Sequence, residues 1–363
     1  MTLQLRIADA TASAIGPARA VPYAQSLWRL SRSVPPIRST SGVPLPDVSR
    51  ASSADPDGPE GRGISESQTS SASEDADQAP PAPKTAAELL AELDALVGLD
   101  AVKRDVRELV DVIEISKRRR GAGLAVAPFS RHLAFVGNPG TGKTTVARLL
   151  AELYHAIGVL PTNSLVEVSR EQLVGEFIGH TAPLTHAVFE SALGGVLFID
   201  EAYTLAGSSD RDFGLEAIAT LVELMEDHRE EIVVIVTGYP RLMRRFIESN
   251  PGLESRFRRE IVFDDYSNDQ LVEIIEQMAT THGYSMGADA RGRAKELFAA
   301  IERDDEFGNA RDDRRLFELA ATRQARRVLQ IDEPSIEQLR ELVPDDFQPL
   351  PGDTSTLHTG QYL

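Results

Sequence analysis

The chain has 363 residues, of which 42% are hydrophobic and 26% are charged, so it is long enough for about two folded domains. Its formal net charge of -18 argues against a protein whose main partner is a nucleic acid, because a surface that neutralises phosphates is basic. The sequence contains no cysteine, which excludes disulfides, zinc–thiolate sites and thiol nucleophiles, and any metal is therefore expected to have oxygen ligands.

Residues 1–85 are expected to form a disordered N-terminal tail, because they are rich in Pro, Ser, Ala and Gly and offer little apolar surface to bury. Within the tail, Leu27, Trp28 and Leu30 stand together in a slightly basic segment, which is a docking motif, an unselected apolar cluster or upstream sequence from a misplaced start codon. Asp9 interrupts the region where a signal peptide needs apolar residues, and no stretch approaches the roughly 20 apolar residues that span a bilayer. We therefore expect a cytoplasmic protein without a membrane partner.

Residues 85–119 carry apolar side chains at helical spacing, interrupted at residues 97–99. This pattern predicts two helices joined at Gly98, where a helix cap alone would also explain the glycine. A short apolar run, HLAFVG at residues 132–137, follows and predicts a strand.

The loop after this strand reads GNPGTGKT, residues 137–144, and leads into a second helical pattern. The order of strand, glycine-rich loop and helix lets backbone N–H groups surround a phosphate at a helix N-terminus. Lys143 then reaches the β- and γ-phosphates, and the Thr144 hydroxyl is placed to bind Mg²⁺. The alternative is an ordinary glycine-rich turn with a surface lysine. The predicted nucleotide-binding residues of this loop are Gly137, Asn138, Pro139, Gly140, Thr141, Gly142, Lys143, Thr144 and Thr145.

The stretch GEFIGHT at residues 175–181 fits neither a helix, because it holds two glycines within about one turn, nor a buried strand. It predicts a loop with a hydrophobic tip formed by Phe177 and Ile178. These two side chains either tuck under the loop as a local staple or meet a partner that arrives from outside.

The run GGVLFIDEA at residues 194–202 predicts a strand that ends in two carboxylates, Asp200 and Glu201. In a parallel sheet beside the phosphate-binding loop, Asp200 would bind Mg²⁺ and Glu201 would position or deprotonate the attacking water. The alternative is a solvated pair of acids at the end of a strand.

Another strand is predicted at residues 232–239, IVVIVTGY. Ligands of open parallel sheets bind at the carboxyl ends of the strands, where this run carries Thr237 and Tyr239. Their hydroxyls either face the γ-phosphate and its water or merely cap the strand.

The last predicted strand, EIVFDDY at residues 260–266, is followed by helical patterns from residue 268 to about residue 329. Breaks near Gly283, Gly287 and Gly308 divide this region, which predicts a small helical domain. From about Pro344 the sequence is rich in proline and polar residues, so residues 344–363 are expected to form a flexible tail.

Five motifs, GNPGTGKT, GEFIGHTAP, GGVLFIDEAY, SNPGLESRF and GNARDDRR, occur in an order that resembles the CbxX/CfqX branch of the AAA+ ATPases. That branch includes the red-type rubisco activases, the ATPase of type VII secretion and a sporulation protein. The resemblance implies an α/β fold, a P-loop three-layer sandwich with a parallel sheet at residues 86–266, followed by a small helical lid domain at residues 267–343. It also implies Mg²⁺-dependent hydrolysis of ATP in a ring of copies, usually a hexamer.

The resemblance also assigns roles to two arginines. Arg256 in SNPGLESRF matches the arginine finger that reaches the nucleotide of a neighbouring subunit, and Arg311 in GNAR matches the sensor of the lid. With these two residues, the expected catalytic set is Lys143, Glu201, Arg256, Arg311 and Tyr239.

Two further segments take on roles through the same comparison. Gly98 and Leu99 resemble the turn that contacts adenine. Phe177, Ile178 and Gly179 resemble the first pore loop, which grips an extended client polypeptide by apolar contact while ATP cycles move the loop.

The expected function is an ATP-hydrolysing ring motor that remodels or threads a protein client through a central pore. Two alternatives stay open: an ATP-dependent assembly switch or scaffold, and a metabolic phosphotransferase, although the sequence displays no small-molecule acceptor site. The chain lacks the long N-terminal helical-repeat region expected of a type VII secretion ATPase and carries a tail that a rubisco activase does not require, so neither client assignment is favoured.

Overall fold

The computed structural model describes residues 83–127, 129–207, 212–304 and 307–350. The predictions for the tail up to residue 82, including Trp28, and for residues 351–363 lie outside the described residues. In the described part of the chain, no helix is long and apolar enough to cross a bilayer.

Two helices open the described chain. Thr85 caps helix α1 (Ala86–Asp94) through a capping box with Glu88, and helix α2 extends over Asp100–Gly121. Between them, Gly98 and Leu99 both have a φ of 60°, a left-handed conformation that costs glycine nothing and leucine some strain. The prediction of two helices joined at Gly98 is confirmed.

Five parallel strands form the central sheet in the order β2-β3-β4-β1-β5. β1 lies between β4 and β5, with Leu133 opposite Ile235 on one side and Arg259 on the other. Because all five strands run the same way, the loops that follow β1, β3 and β4 meet at one edge of the sheet. The strands are β1 Leu133–Gly137, β2 Leu165–Val168, β3 Val196–Ile199, β4 Val233–Gly238 and β5 Arg259–Phe263.

Helices cover both faces of this sheet, as its continuous apolar strands require. Side chains alternate along β1, so Leu133 and Phe135 pack with α1, α2 and α3 on one face, and Ala134 and Val136 pack on the other. The predicted three-layer α/β sandwich is confirmed. Its other helices are α3 Lys143–Ala156, α4 Arg170–Leu173, α5 Thr181–Ser191, α6 Gly214–Asp227, α7 Pro240–Glu248 and α8 Pro251–Arg256, with a 3-10 helix at Ala202–Ala206.

A smaller helical domain with its own core follows, and it confirms the predicted lid. Leu271, Ile275 and Phe298 in this core are each at most 1% exposed. Two strands of two residues also pair in parallel, and they are too short to show a periodic pattern in the sequence. The elements are α9 Asn268–Thr281, β6 Ser285–Met286, α10 Ala288–Ala300, α11 Ala310–Val328, α12 Ile336–Arg340 and β7 Glu341–Leu342.

The lid continues through Leu350, contrary to the expectation of a flexible tail from residue 344. Pro344–Asp346 form a 3-10 turn, and Phe347 and Leu350 are 1% and 8% exposed in the lid core. The carboxylate of Asp346 accepts a hydrogen bond from Arg327 Nη2 at 3.0 Å. Isolated apolar residues in a proline-rich segment show no periodicity, so the sequence pattern could not reveal this packing.

Asp313 on α11 is a buried acid inside the lid. Its side chain is 0% exposed, and neither carboxylate oxygen has a hydrogen-bond partner among the described residues. Burial, together with the charge of neighbouring Asp312, raises the pKa of Asp313 from 3.8 to about 9. The folded protein therefore keeps a proton that the unfolded chain releases, so Asp313 destabilises the fold progressively as the pH rises from about 4 to about 9.

Asp313→Val is expected to raise the free energy of unfolding at pH 7 by up to about 4 kcal/mol, because each pH unit between the two pKa values costs about 1.4 kcal/mol. Urea denaturation at pH 5 and pH 7 measures the gain, which should be clearly larger at pH 7. Glu318→Gln, at an exposed acid on the same helix, is the control and should show no pH-dependent gain. A gain of equal size at both pH values would contradict this account of Asp313.

Candidate functional site

In the loop that follows β1, the side chain of Lys143 folds back onto the loop carbonyl groups. Helix α3 begins at Lys143, and Gly142 before it has a φ of 94°, which a side chain would strain. Lys143 Nζ donates to Gly137 O at 2.8 Å and to Asn138 O at 2.6 Å. Burial lowers the pKa of Lys143 to about 8, although the negative charge of Asp200 acts in the opposite direction. A bound phosphate would supply negative charge that favours this buried ammonium group.

The other loop residues shape the loop and its contact with the lid. Thr141 is buried and its hydroxyl donates to a loop carbonyl at 2.8 Å, while half-buried Thr144 and Thr145 occupy the first turn of α3. Gly140 has a φ of 71°, and a Cβ there would lie 2.1 Å from Gly308 O in the lid. Only glycine permits this approach of the lid to the loop.

Arg311 lies in the first turn of α11 and its side chain is exposed. Its backbone nitrogen is 2.8 Å from the position that a Cβ would take at Gly140. Its charge also contributes to the lowered pKa of Lys143. The structure thus brings Arg311 to the phosphate-binding loop of its own chain, and its role as a sensor stays a prediction.

Asp200 and Glu201 follow β3 at the same edge of the sheet. Asp200 Oδ1 accepts hydrogen bonds from Thr237 Oγ1 at 2.6 Å and from the Glu201 N–H at 3.0 Å. Thr237 is 0% exposed, so its hydroxyl holds Asp200 instead of facing a phosphate. Glu201 has a φ of 47° and an exposed side chain, and such backbone strain is typical of functional positions. The arrangement fixes one carboxylate and leaves the other accessible to water.

Tyr203 lies beside Glu201, and sequence reasoning did not single it out. Burial raises the pKa of the Tyr203 phenol to about 12, with further contributions from the charge of Glu201 and from a side-chain hydrogen bond with it. The ring centroid of Tyr203 lies 5.9 Å from that of Tyr239, the predicted residue at the end of β4. The available signal was the run DEAY, in which this tyrosine directly follows the acids and one alanine.

A hydrogen-bond network centred on Asp265 joins the loop to the lid. Asn138 Nδ2 donates to both carboxylate oxygens of Asp265 at 3.1 Å, and Asn309 Nδ2 donates to Asp265 Oδ1 at 2.7 Å. Asn309 is 0% exposed, and its Oδ1 accepts from the Tyr266 N–H at 2.9 Å. Asp265 and Asn309 were not predicted as site residues, although the second stands in the GNAR motif beside Arg311.

The turn predicted to contact adenine lies against the same loop. A Cβ at Gly98 would be 3.4 Å from Cδ1 of Tyr266, and a Cβ at Gly142 would be 3.6 Å from Cδ1 of Leu99. The Tyr266 hydroxyl donates to Thr141 O at 3.3 Å. The structure therefore brings Gly98 and Leu99 next to the phosphate-binding loop, and the adenine contact itself stays a prediction.

Arg256, by contrast, lies at the opposite end of the sheet. Its carbonyl accepts a hydrogen bond from Ser130, which precedes β1, whereas Lys143 follows β1. The charge of Arg256 also assists burial in lowering the pKa of His132, directly before β1, to about 4. A five-residue strand is about 16 Å long, so Arg256 is separated from the loop of its own chain by roughly that distance.

The loop between α4 and α5 exposes its hydrophobic tip. Phe177 is 64% exposed and Ile178 is 86% exposed. Gly179 has a φ of 80°, and a Cβ there would meet no atom within 4 Å. The Phe177 ring contacts His180 edge-on, with 5.6 Å between centroids. The tip is therefore not covered by the described part of the chain.

Comparisons with known proteins agree with this arrangement. The family models for the "ATPase family associated with various cellular activities (AAA)" and for the "AAA lid domain" match residues 133–265 and 267–356. Stage V sporulation protein K of Bacillus subtilis (strain 168) is 43% identical over 249 residues, which are 68% of this chain and 77% of that protein. Protein CbbX of Cereibacter sphaeroides is 43% identical over 245 residues, which are 67% of this chain and 79% of that protein. The chloroplastic ribulose bisphosphate carboxylase/oxygenase activase of Cyanidioschyzon merolae (strain NIES-3377 / 10D) is 40% identical over 243 residues, with coverages of 66% and 83%.

A solved structure shows the same architecture. The crystal structure of the FIGL-1 AAA domain in complex with ADP matches with a TM-score of 0.51 and 21% sequence identity, covering 70% of this chain and 80% of that one. At this level of identity the likeness concerns the fold alone.

Proposed function

Because the chain belongs to the CbxX/CfqX branch of the AAA+ ATPases and therefore hydrolyses ATP, we propose that it forms a ring that remodels or threads a protein client. The observation that carries this proposal is the exposure of Phe177 and Ile178 on a glycine-flanked loop. Aromatic and branched apolar side chains in this position can contact an extended polypeptide of any sequence. One relative is named as an activase of ribulose bisphosphate carboxylase/oxygenase, and this agrees with a client that is a protein.

The edge of the sheet fits a nucleotide that carries Mg²⁺. Lys143 would exchange its loop carbonyls for the β- and γ-phosphates, and the Thr144 hydroxyl and the Asp200 carboxylate would hold the metal. Mg²⁺ usually takes only one or two ligands from the protein and the others from substrate phosphates and water. When bound, Mg²⁺ neutralises charge that develops on the phosphoryl group.

Glu201 is the proposed base for hydrolysis. Its exposed carboxylate can accept a proton from a water molecule beside the γ-phosphate. Asp200 stays apart from this step because Thr237 and the Glu201 N–H hold one of its oxygens. The Tyr203 phenol lies beside Glu201 and helps to orient its side chain.

Arg256 is proposed to act on the nucleotide of the next subunit. Its location, about 16 Å from the loop of its own chain, leaves it no direct role there. A ring of copies, expected to be a hexamer, would place each Arg256 against the neighbouring site, where its planar cation stabilises the transition state. Hydrolysis would then depend on assembly.

The lid is proposed to respond to the nucleotide through Asp265. Asn138 in the phosphate-binding loop and Asn309 at the start of α11 both donate to this one carboxylate. Movement of the loop on binding or loss of phosphate therefore changes the hydrogen bonds that hold the lid. Arg311, in the first turn of the same helix, would contact the phosphates from the lid side.

Phe177→Ala is expected to abolish client binding without destabilising the fold. An exposed phenylalanine contributes within about 1 kcal/mol to stability, whereas a buried one contributes about 3–5 kcal/mol. Thermal denaturation measures the change in stability. Client binding is measured with β-casein as an unfolded probe. Its ATP-dependent co-elution with the Glu201→Gln protein is compared with its co-elution with the Glu201→Gln protein that also carries Phe177→Ala.

The matched control is Ile336→Ala, which truncates an apolar side chain that is 69% exposed on the lid. It should retain β-casein like the parent protein. A clear drop in the melting temperature of Phe177→Ala would indicate a local staple instead of a gripping tip. Equal retention of β-casein by Phe177→Ala would also contradict the proposal, and ATP-dependent assembly without β-casein binding would favour the assembly switch.

A further inference from the structure

The guanidinium group of Arg256 is folded back onto its own subunit. Its side chain is 16% exposed. Nη1 donates to Gly252 O and to Ser255 Oγ, both at 3.2 Å, and Nη2 donates to Glu226 Oε2 at 3.1 Å. Its Nε is buried and has no hydrogen-bond partner among the described residues. In this conformation the guanidinium group therefore leaves one buried N–H donor without an acceptor among the described residues.

Glu226, the acid in this ion pair, lies near the end of α6 and its side chain is 57% exposed. Its other oxygen, Oε1, accepts a hydrogen bond from Arg229 Nη1 at 3.2 Å. An ion pair with one partner largely in water is weak, so this contact can open without a large loss of stability.

A phosphate of a neighbouring nucleotide would compete with Glu226 for the same donors. The bonds to Glu226, Gly252 and Ser255 hold the guanidinium group against its own subunit, so reaching a phosphate of a neighbouring subunit requires the contact with Glu226 to open. A polyphosphate carries more negative charge than one carboxylate, and it can accept two parallel hydrogen bonds from the guanidinium group. A nucleotide in the neighbouring subunit is therefore expected to displace Glu226 from Arg256, whereas an empty neighbouring site is not.

We propose that Glu226 is a positioning residue that holds Arg256 against its own subunit until a neighbour loaded with a nucleotide draws it out. This inference rests on the proposed action of Arg256 in the neighbouring site. Glu226 thereby raises the protein concentration at which ATP-bound subunits assemble, and it keeps the arginine from pairing with other anions in the isolated subunit.

Glu226→Gln tests the inference, because it keeps the size of the side chain and removes its charge. In the Glu201→Gln background, which retains ATP, sedimentation velocity gives the protein concentration at half-assembly. We expect Glu226→Gln to lower this concentration by about two- to fivefold, the range that corresponds to loss of an exposed ion pair. The concentration at half-maximal ATPase activity of the Glu226→Gln protein with an intact Glu201 should fall in parallel.

Two controls separate this effect from a general change in surface charge. Glu223→Gln removes the same charge from an exposed position one turn earlier on α6 and should leave the half-assembly concentration unchanged. In an Arg256→Ala background, Glu226→Gln should have no effect, because there is no arginine to release.

An unchanged or higher half-assembly concentration for Glu226→Gln would overturn the inference, and so would an equal decrease in the Arg256→Ala background. The proposed function is tested separately by mixing Arg256→Ala with Glu201→Gln subunits. If that mixture regains ATPase activity while Glu226→Gln changes nothing, only the role of Glu226 is wrong. If the mixture stays inactive, the action of Arg256 in the neighbouring site is wrong as well.

Discussion

Glu201→Gln is expected to slow ATP hydrolysis by at least about a hundredfold while ATP remains bound. The amide keeps the size and hydrogen-bonding shape of the side chain but cannot accept a proton from water. Lys143→Ala, in contrast, should abolish nucleotide binding, because it removes the ammonium group that is proposed to bind the β- and γ-phosphates. Phosphate release under steady-state conditions and equilibrium binding of a fluorescent ATP analogue measure the two quantities.

Glu260→Gln is the control for this pair, since Glu260 is an exposed acid on β5. It should hydrolyse ATP like the unmodified protein. Turnover by Glu201→Gln at the normal rate would show that another group activates the water, and the assignment of Glu201 would be abandoned.

Arg256→Ala is expected to bind ATP normally and to hydrolyse it on the order of a thousandfold more slowly, in line with arginine fingers of other systems. Its own site is intact, because Arg256 lies about one strand length away from it. An arginine that acts on the neighbour predicts complementation, in which two inactive variants restore each other. In a mixed ring, the site of an Arg256→Ala subunit still contains Glu201. A neighbouring Glu201→Gln subunit can supply the missing arginine to that site.

An equal mixture of the two variants should regain about a quarter of the normal rate per subunit, since about a quarter of all sites pair an intact Glu201 with a neighbouring Arg256. Steady-state ATPase activity of the mixture, after subunits have exchanged without nucleotide, measures the recovery. A mixture no more active than its components would show that Arg256 acts within its own chain or only in assembly.

The part of the site that is local in the sequence was predictable. The strand, glycine-rich loop and helix around Lys143 are contiguous, and their geometry follows from backbone preferences alone. The acids Asp200 and Glu201 end an apolar run, so their place at the edge of a parallel sheet follows from the direction of the strand.

Contacts between distant residues were not predictable in the same way. The carboxylate of Asp265 accepts hydrogen bonds from Asn138 and Asn309, which are 127 and 44 residues away along the chain. No periodic pattern in the sequence predicts such pairings. The phenol of Tyr203 reaches Glu201 because a left-handed residue turns the backbone into a 3-10 helix there. The packing of Phe347 depends in the same way on the assembled lid, which supplies the apolar surface that its proline-rich segment lacks.

The hydrogen bonds at Asn309 have a mechanical consequence, because this residue is the N-terminal cap of α11. The helix has 19 residues and is therefore about 28 Å long. If this helix tilts as a rigid rod about Asn309, a tilt of about 10° would carry its far end by about 5 Å. A small tilt at the phosphate-binding loop is therefore expected to become a larger movement at the outer end of the lid.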